Sequence, residues 1–174
     1  LIFVPAVICA ADTYWQAVQG LKAANVQFDR QGWEKLNSAM ISQTLHDGAK
    51  EKGKLARVEG DVDKALASAA KVFEAEYEVP YMSHAPLEPM NATANVTSDM
   101  CEVWAPSQGP GPGHIVASMI SGLPMEKVKF HVTYLGGGFG RRVEQDYVEQ
   151  AVEASMKLKH AVKVIWSREE DIQH

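Results

Sequence analysis

Several chemistries are excluded by what this sequence does not contain. No apolar run approaches the ~20 residues a membrane-spanning helix needs, and no internal repeat or low-complexity tract is present. Cysteine is scarce: Cys9 and Cys101 stand far apart, in no CxxC and in no Cys/His ligand spacing. No iron–sulfur or zinc site is therefore encoded, no protein ligand set for a metal is evident, and both thiols read as small buried hydrophobes. Positive charge is also short, with 17 Lys and Arg against 22 Asp and Glu, and the largest cationic cluster is Arg141-Arg142. Phosphate-backbone binding needs a basic face, so nucleic acid is not an expected partner. Gly-x-Ser-x-Gly and HExxH are both missing. An initiator Met and a basic n-region are missing as well, so residues 1–11 read as a buried strand begun or broken at Pro5 rather than a signal peptide. That start also predicts a chain that begins partway through a larger protein.

What remains is a globular composition, 46% hydrophobic with a net charge of -5 over 174 residues. Thr13 and Gln16 form a capping-box pattern ahead of an apolar stripe at Tyr14, Trp15, Val18 and Leu21, and Asn25–Asp29 alternates like a short strand. A polar stretch follows, read as a linker with one short helix over Trp33–Leu45, in which His46 is a solvated histidine. Leu55–Glu59 reads as an edge strand, and Asp61 caps a helix whose buried stripe is Val62, Leu66, Ala69 and Phe73. Glu74–Val79 has the period-two alternation of a half-exposed strand. His84 and Glu88 fall in an irregular loop, where pinning the loop by hydrogen bonds is favoured over acid–base work.

The second half is more regular. A hairpin is expected over Asn91–Val96 and Cys101–Ala105, followed by a rigid Pro/Gly loop that displays Gln108, and a helix from His114 to Ser121. A strand over Val128–Tyr134 then feeds Gly136-Gly137-Gly138-Phe139-Gly140-Arg141-Arg142, with a helix over Val143–Lys159 and a last strand over Ala161–Trp166. Three consecutive glycines on a strand-to-helix turn leave two readings open: a tight turn that needs positive φ, or a cradle where backbone approaches an anionic or oxo-rich ligand. Phosphate motifs do not explain it. A Walker A loop would need Lys-Ser/Thr where Arg141-Arg142-Val143 stand, and a Rossmann fingerprint starting at Gly136 would put Arg141 at its third glycine.

Three segments in this order carry a family resemblance: Glu76–Pro80 through His84-Ala85-Pro86-Leu87-Glu88-Pro89, then Trp104-Ala105-Pro106-Ser107-Gln108, then Leu135–Arg142. Together they resemble the molybdenum-binding large subunit of the xanthine dehydrogenase and aldehyde oxidase family. The Arg-Arg ending is similar to the isoquinoline 1-oxidoreductase beta-subunit branch, and Arg168-Glu169-Glu170-Asp171 fits the family too. The resemblance implies an α+β fold of mixed sheets with packed helices. Residues 1–30 would be the end of an α/β hammerhead-like domain, 31–54 a linker and 55–174 the first part of a molybdopterin-binding domain.

It further implies that Gln108 hydrogen-bonds an oxo group of the metal centre and that Gly137, Gly138, Phe139, Gly140 and Arg141 lie against the cofactor. That cofactor would be molybdopterin cytosine dinucleotide with molybdenum, with no Fe–S cluster in this chain. The reaction implied is hydroxylation of an N-heteroaromatic or oxidation of an aldehyde with water-derived oxygen. The family's general-base glutamate would lie outside this chain, so no catalytic residue is assigned. Arg141-Arg142-Val143 stand where xanthine dehydrogenases carry Gly-Lys-Glu, so a purine-recognising carboxylate is missing. Implied partners are the remainder of the large subunit, a small [2Fe-2S] subunit and a cytochrome c electron acceptor, with the compartment open between bacterial periplasm and cytoplasm. The alternative is a non-catalytic scaffold or docking module that is inactive without the rest of the subunit.

Overall fold

The computed structural model describes residues 6–29 and 32–174. The chain divides into two compact units, residues 1–26 with 82–174, and residues 27–81. Among the described residues, no helix is long and apolar enough to cross a membrane.

The first unit is built on a four-stranded sheet of order β3-β2-β1-β4, with β1 Asn91–Val96, β2 Cys101–Ala105, β3 Val128–Val132 and β4 Val162–Ile165. The hairpin β1–β2 forms in the expected place, closed by Thr97, whose N–H donates to the carbonyl of Met100 at 2.9 Å. β4 adds antiparallel to β1, while β2 and β3 run parallel, Cys101 opposite Val128 through Ala105 opposite Val132. A parallel pair needs a crossover, here helix α4 (Pro110–Ser121), which starts earlier than His114 because Pro110 at its first position is already set for helical φ. α4 lies tight on β3: a Cβ at Gly113 would fall 2.6 Å from the Phe130 ring.

Helix α5 begins at Asp146, three residues after the expected Val143, because Arg141–Val143 form a single 3-10 turn. It runs to Leu158 and buries Tyr147, Val148, Ala151, Val152 and Ser155. These pack with Ala92, Ala94, Cys101, Val103 and Ala105, the inward positions of β1 and β2, and with Met90 just before β1, into one core. Ser155 Oγ accepts from the Val96 N–H and donates to the His160 carbonyl, tying the helix end to the sheet. Helix α6 (Arg168–Gln173) follows β4, capped by Ser167. The α+β class expected from sequence is thus the one observed.

The N-terminal segment of this unit holds one helix of the expected position, labelled α1 (Tyr14–Ala24), with the Thr13–Gln16 capping box formed. Among the described residues, no strand forms beside it. Residues 1–5 lie outside the described residues, Ala6–Asp12 is without regular structure, and Asn25–Asp29 leaves the helix through a left-handed Asn25 without pairing. The apolar stripe is exposed at Tyr14 and Trp15 rather than buried.

In the second unit, helix α2 spans Ser38–Ala49, shifted from the expected Trp33–Leu45 because Asn37 supplies the cap at Met40 N. α3 is a short Val62–Ala67 capped by Asp61, and its stripe of Val62, Leu66 and Phe73 is exposed. Leu55–Glu59 and Glu74–Val79 are not strands. A strand exists only as a hydrogen-bonded ladder, and neither segment has a partner strand among the described residues. His46 is not simply solvated: its Nδ1 lies 2.6 Å from Glu76 and its Nε2 3.4 Å from Glu78. Hydrogen bonds from Ser42 and His46 hold the Glu78 carboxyl below its ordinary pKa.

Burial pushes the Tyr147 phenol and the Cys101 thiol above their ordinary values. Stability from both is full below the unfolded-state values and is lost as pH rises toward the raised folded ones, so the urea midpoint should fall through the alkaline range. Tyr147 donates to the Pro106 carbonyl at 3.0 Å. Tyr147→Phe should cost about 1 kcal/mol at neutral pH by urea unfolding and flatten the phenol part of that alkaline decline.

Candidate functional site

Because β2 and β3 are parallel, their C-terminal ends emerge on the same edge, and the Thr133 N–H continues the ladder to the Ala105 carbonyl. The two loops that leave them, residues 106–109 and 133–140, therefore start side by side. That places Gln108 against the glycine loop, as the ends of a β-α-β crossover commonly do for ligand-contacting residues. Gln108 Oε1 accepts from the Gly140 N–H at 3.0 Å. Oriented that way, the Nε2 end of the amide donates to no protein acceptor among the described residues and is left as an exposed donor.

The glycines permit this approach. A Cβ at Gly138 would sit 2.4 Å from Gln108 Oε1, and one at Gly136 would sit 2.4 Å from the Glu88 Cβ. Gly137 and Gly140 have φ of +100° and +97°, and between them Phe139, which has a side chain, is also left-handed at +52°. A non-glycine residue in that region carries strain of order 1 kcal/mol, held by its surroundings. The Phe139 ring is mostly exposed. The N–H groups of Gly137, Gly138 and Phe139 have no protein acceptor among the described residues. Such a row of donors, with the free Gln108 amide beside it, is fitted to oxygen-rich or anionic groups rather than to cations.

The loop is fastened from below by one side chain. Arg142 is fully buried, and its guanidinium donates to the carbonyls of Gly137 (2.8 Å), Glu88 (2.6 Å) and Pro106 (3.4 Å) and to the Glu88 carboxylate (2.9 Å). Its own carbonyl accepts from the Gln108 N–H at 3.0 Å. Glu88 completes the lock: its carboxylate accepts from Gly136 N–H at 2.9 Å and from Asn91 Nδ2 at 2.9 Å, and its N–H donates to the Gly136 carbonyl. Glu88 thus pins loops. His84 Nε2 lies 3.7 Å from a Cβ built on Gly140.

Of the residues singled out from sequence, Gln108, Gly137, Gly138, Phe139 and Gly140 come together, with Gly138 buried beneath Gln108. Arg141 joins it only through its backbone, whose N–H donates to the Gly138 carbonyl at 2.9 Å. Its side chain turns away, forks onto Asp146 at 3.1 and 2.7 Å, reaches Glu144 at 3.2 Å and lies over the Trp166 ring. Glu144, Asp146 and His174 cluster there, where the two carboxylates hold this guanidinium and His174 Nε2 lies 2.9 Å from Asp146. Sequence reasoning missed Arg142, treating it as half of a basic pair. The available signal was Glu88, because a buried arginine requires a carboxylate and this one had been singled out.

Removing that guanidinium strands three carbonyls and a carboxylate. Arg142→Met should destabilise the first unit by about 3 kcal/mol in denaturant unfolding, whereas Glu88→Gln, which keeps the acceptor oxygen, should cost about 1 kcal/mol.

Residues 45–174 match the family profile of the molybdopterin cofactor-binding domain. The chain is 35% identical over 102 residues to the isoquinoline 1-oxidoreductase subunit beta of Brevundimonas diminuta, covering 58% of this chain and 13% of that protein. It is 37% identical over 115 residues to a membrane-bound aldehyde dehydrogenase (pyrroloquinoline-quinone) of Gluconacetobacter polyoxogenes, covering 64% of this chain and 15% of that one. The chain therefore spans about one seventh of the length of these relatives. Among solved structures, aldehyde oxidoreductase from Desulfovibrio gigas shares the fold with a TM-score of 0.59 at 23% identity, over 66% of this chain and 13% of its own. Quinoline 2-oxidoreductase from Pseudomonas putida 86 does so with a TM-score of 0.56 at 23% identity, over 64% and 14%. The matched span includes the sheet, Gln108 and the glycine loop, and the chain belongs to the molybdopterin cofactor-binding domain family.

Proposed function

We propose that this chain forms one wall of the cofactor site in the large subunit of a molybdenum-dependent oxidoreductase. The observation that carries the reading is the set of unpaired N–H groups of Gly137, Gly138 and Phe139 beside the Gln108 amide, in a loop whose glycines let Gln108 and Glu88 close onto its backbone. A flat pterin with an oxo-bearing metal centre asks for that combination: backbone access without Cβ atoms, and N–H donors aimed at oxygen. When bound, the cofactor supplies a two-electron oxidation in which water provides the oxygen. The chain's own part is binding and orientation. Gln108 Nε2 would donate to an oxo group, its rotamer set by the bond from Gly140. The loop N–H groups would donate to the oxygen-rich edge of the cofactor, and Phe139 would exclude water from one side. Arg141 contributes by holding the end of the loop through Asp146 rather than by touching the cofactor.

The substrate class favoured is an N-heteroaromatic or an aldehyde, following the two relatives named above, and the cofactor form favoured is the cytosine dinucleotide. The complete enzyme would draw its general-base glutamate from the rest of the large subunit. Electrons would leave through a small [2Fe-2S] subunit to a cytochrome c. Residues 1–30 would be the end of a hammerhead-like domain, 31–54 a linker and 55–174 the start of the cofactor-binding domain. A docking role for the chain is favoured by its exposed apolar residues, with Tyr77, Leu87 and Tyr134 at 90%, 91% and 101% exposure. Both roles hold together: the chain alone would not turn over, and it would do so once joined to its subunit.

In the complete enzyme, Gln108→Ala should lower kcat by roughly 10²-fold, as for loss of one preorganised donor, with the unfolding midpoint unchanged. Gly138→Val should abolish molybdenum uptake, read by metal analysis of the purified protein. Full molybdenum content and wild-type turnover in both variants would overturn the assignment.

A further inference from the structure

The glycine loop rests on residues 86–88. A Cβ at Gly137 would lie 3.3 Å from the Pro86 Cβ, the Glu88 N–H donates to the Gly136 carbonyl, and the Gly136 N–H donates to the Glu88 carboxylate. Those residues are irregular, preceded by Ala85 at a left-handed φ of +41°, and no sheet ladder holds them. Their carbonyls instead point at arginines. Arg142 takes Glu88. The other two are taken from far along the chain by Arg168 at the start of α6, whose Nη2 donates to Pro86 O at 2.5 Å and Leu87 O at 3.0 Å. Arg168 is itself held by Asp171, which is buried, through Nη1 to Oδ2 at 2.5 Å.

Taken together, we propose that Arg168, oriented by Asp171, is a positioning residue for the cofactor-facing loop, acting through Pro86 and Leu87 without touching the cofactor. The inference rests on the functional reading above only for what the loop faces. Three consecutive carbonyls gripped by two guanidiniums fix the floor in one conformation. Gly136 N–H then meets the Glu88 carboxylate, and Gly140 N–H meets Gln108. Arginine suits the task because its planar fork reaches two neighbouring carbonyls and a carboxylate together, which a lysine ammonium does less well. α6 thereby couples the far edge of the sheet, after β4, to the loop that follows β3.

The test is amide hydrogen exchange on the cofactor-free, full-length polypeptide that carries this chain. Arg168→Met should speed exchange at Gly136 and Gly140 about tenfold while the paired amides of β1 and β2 exchange as in wild type. Arg168→Lys should fall between the two, and it is judged alone by the same criterion if the Met variant does not fold. After cofactor loading, both variants should lose molybdenum severalfold faster on dialysis. Wild-type exchange at Gly136 and Gly140, or an equal rise throughout β1 and β2, would overturn the inference, the latter by showing only a general loss of stability. A wild-type protein that takes up no molybdopterin would overturn the functional reading instead, and the exchange result would still decide the role of Arg168.

Discussion

Everything at the candidate site depends on one charge being buried without loss. Arg142 has no exposed surface, and taking a guanidinium out of water costs several kcal/mol unless its donors are filled. They are filled by three backbone carbonyls from three separate segments and by one carboxylate. The consequence is geometric. Segments around Glu88, Pro106 and Gly137, far apart in sequence and in no common ladder, are forced to converge on one planar group. The loop after β2 and the loop after β3 are thereby held in register beyond the point where the sheet ends.

That lock explains how the loop tolerates its own backbone. A run with Gly137, Phe139 and Gly140 all at positive φ is flexible by composition, and Phe139 pays a steric cost to be there. Strain of this size persists only where the surroundings over-determine the conformation. Here the bonds from Gly140 to Gln108, from Gly136 to Glu88 and from Arg142 to Gly137 supply that determination. Meanwhile the N–H groups of Gly137, Gly138 and Phe139, between those anchors, have no protein acceptor among the described residues. A loop rigid at its ends and unsatisfied at its centre is preorganised for a ligand that brings acceptors, since binding then requires little reordering.

The sheet and the site loop were legible in the sequence because their signals are local. The alternation in β1 and β2 and the three glycines each act within a few residues, whereas the helix starts at Pro110, four residues ahead of the expected His114. Gln108 could be placed at a strand end for the same reason. What was not legible is whatever depends on partners distant in sequence. Arg142 and Arg168 read as surface charges because a sequence shows an arginine's charge but not the carbonyls that will surround it. The direction of the Arg141 side chain is set by Asp146 and Trp166, and the adjacency of two arginines gives no hint that one points in and the other away.

Residues 27–81 show the same limit from the other side. Glu74–Val79 has as clean a period-two alternation as β1, yet only β1 is a strand. The difference lies in neighbours: β1 sits between β2 and β4, with α5 closing one face, whereas Tyr77 and Val79 meet no sheet. Periodicity states which face a segment can bury and says nothing of what will cover it. In a chain that spans about one seventh of its relatives' length, the exposed apolar side chains of a well-patterned segment mark where covering surface is called for, and the pattern carries that information even where the ladder is absent.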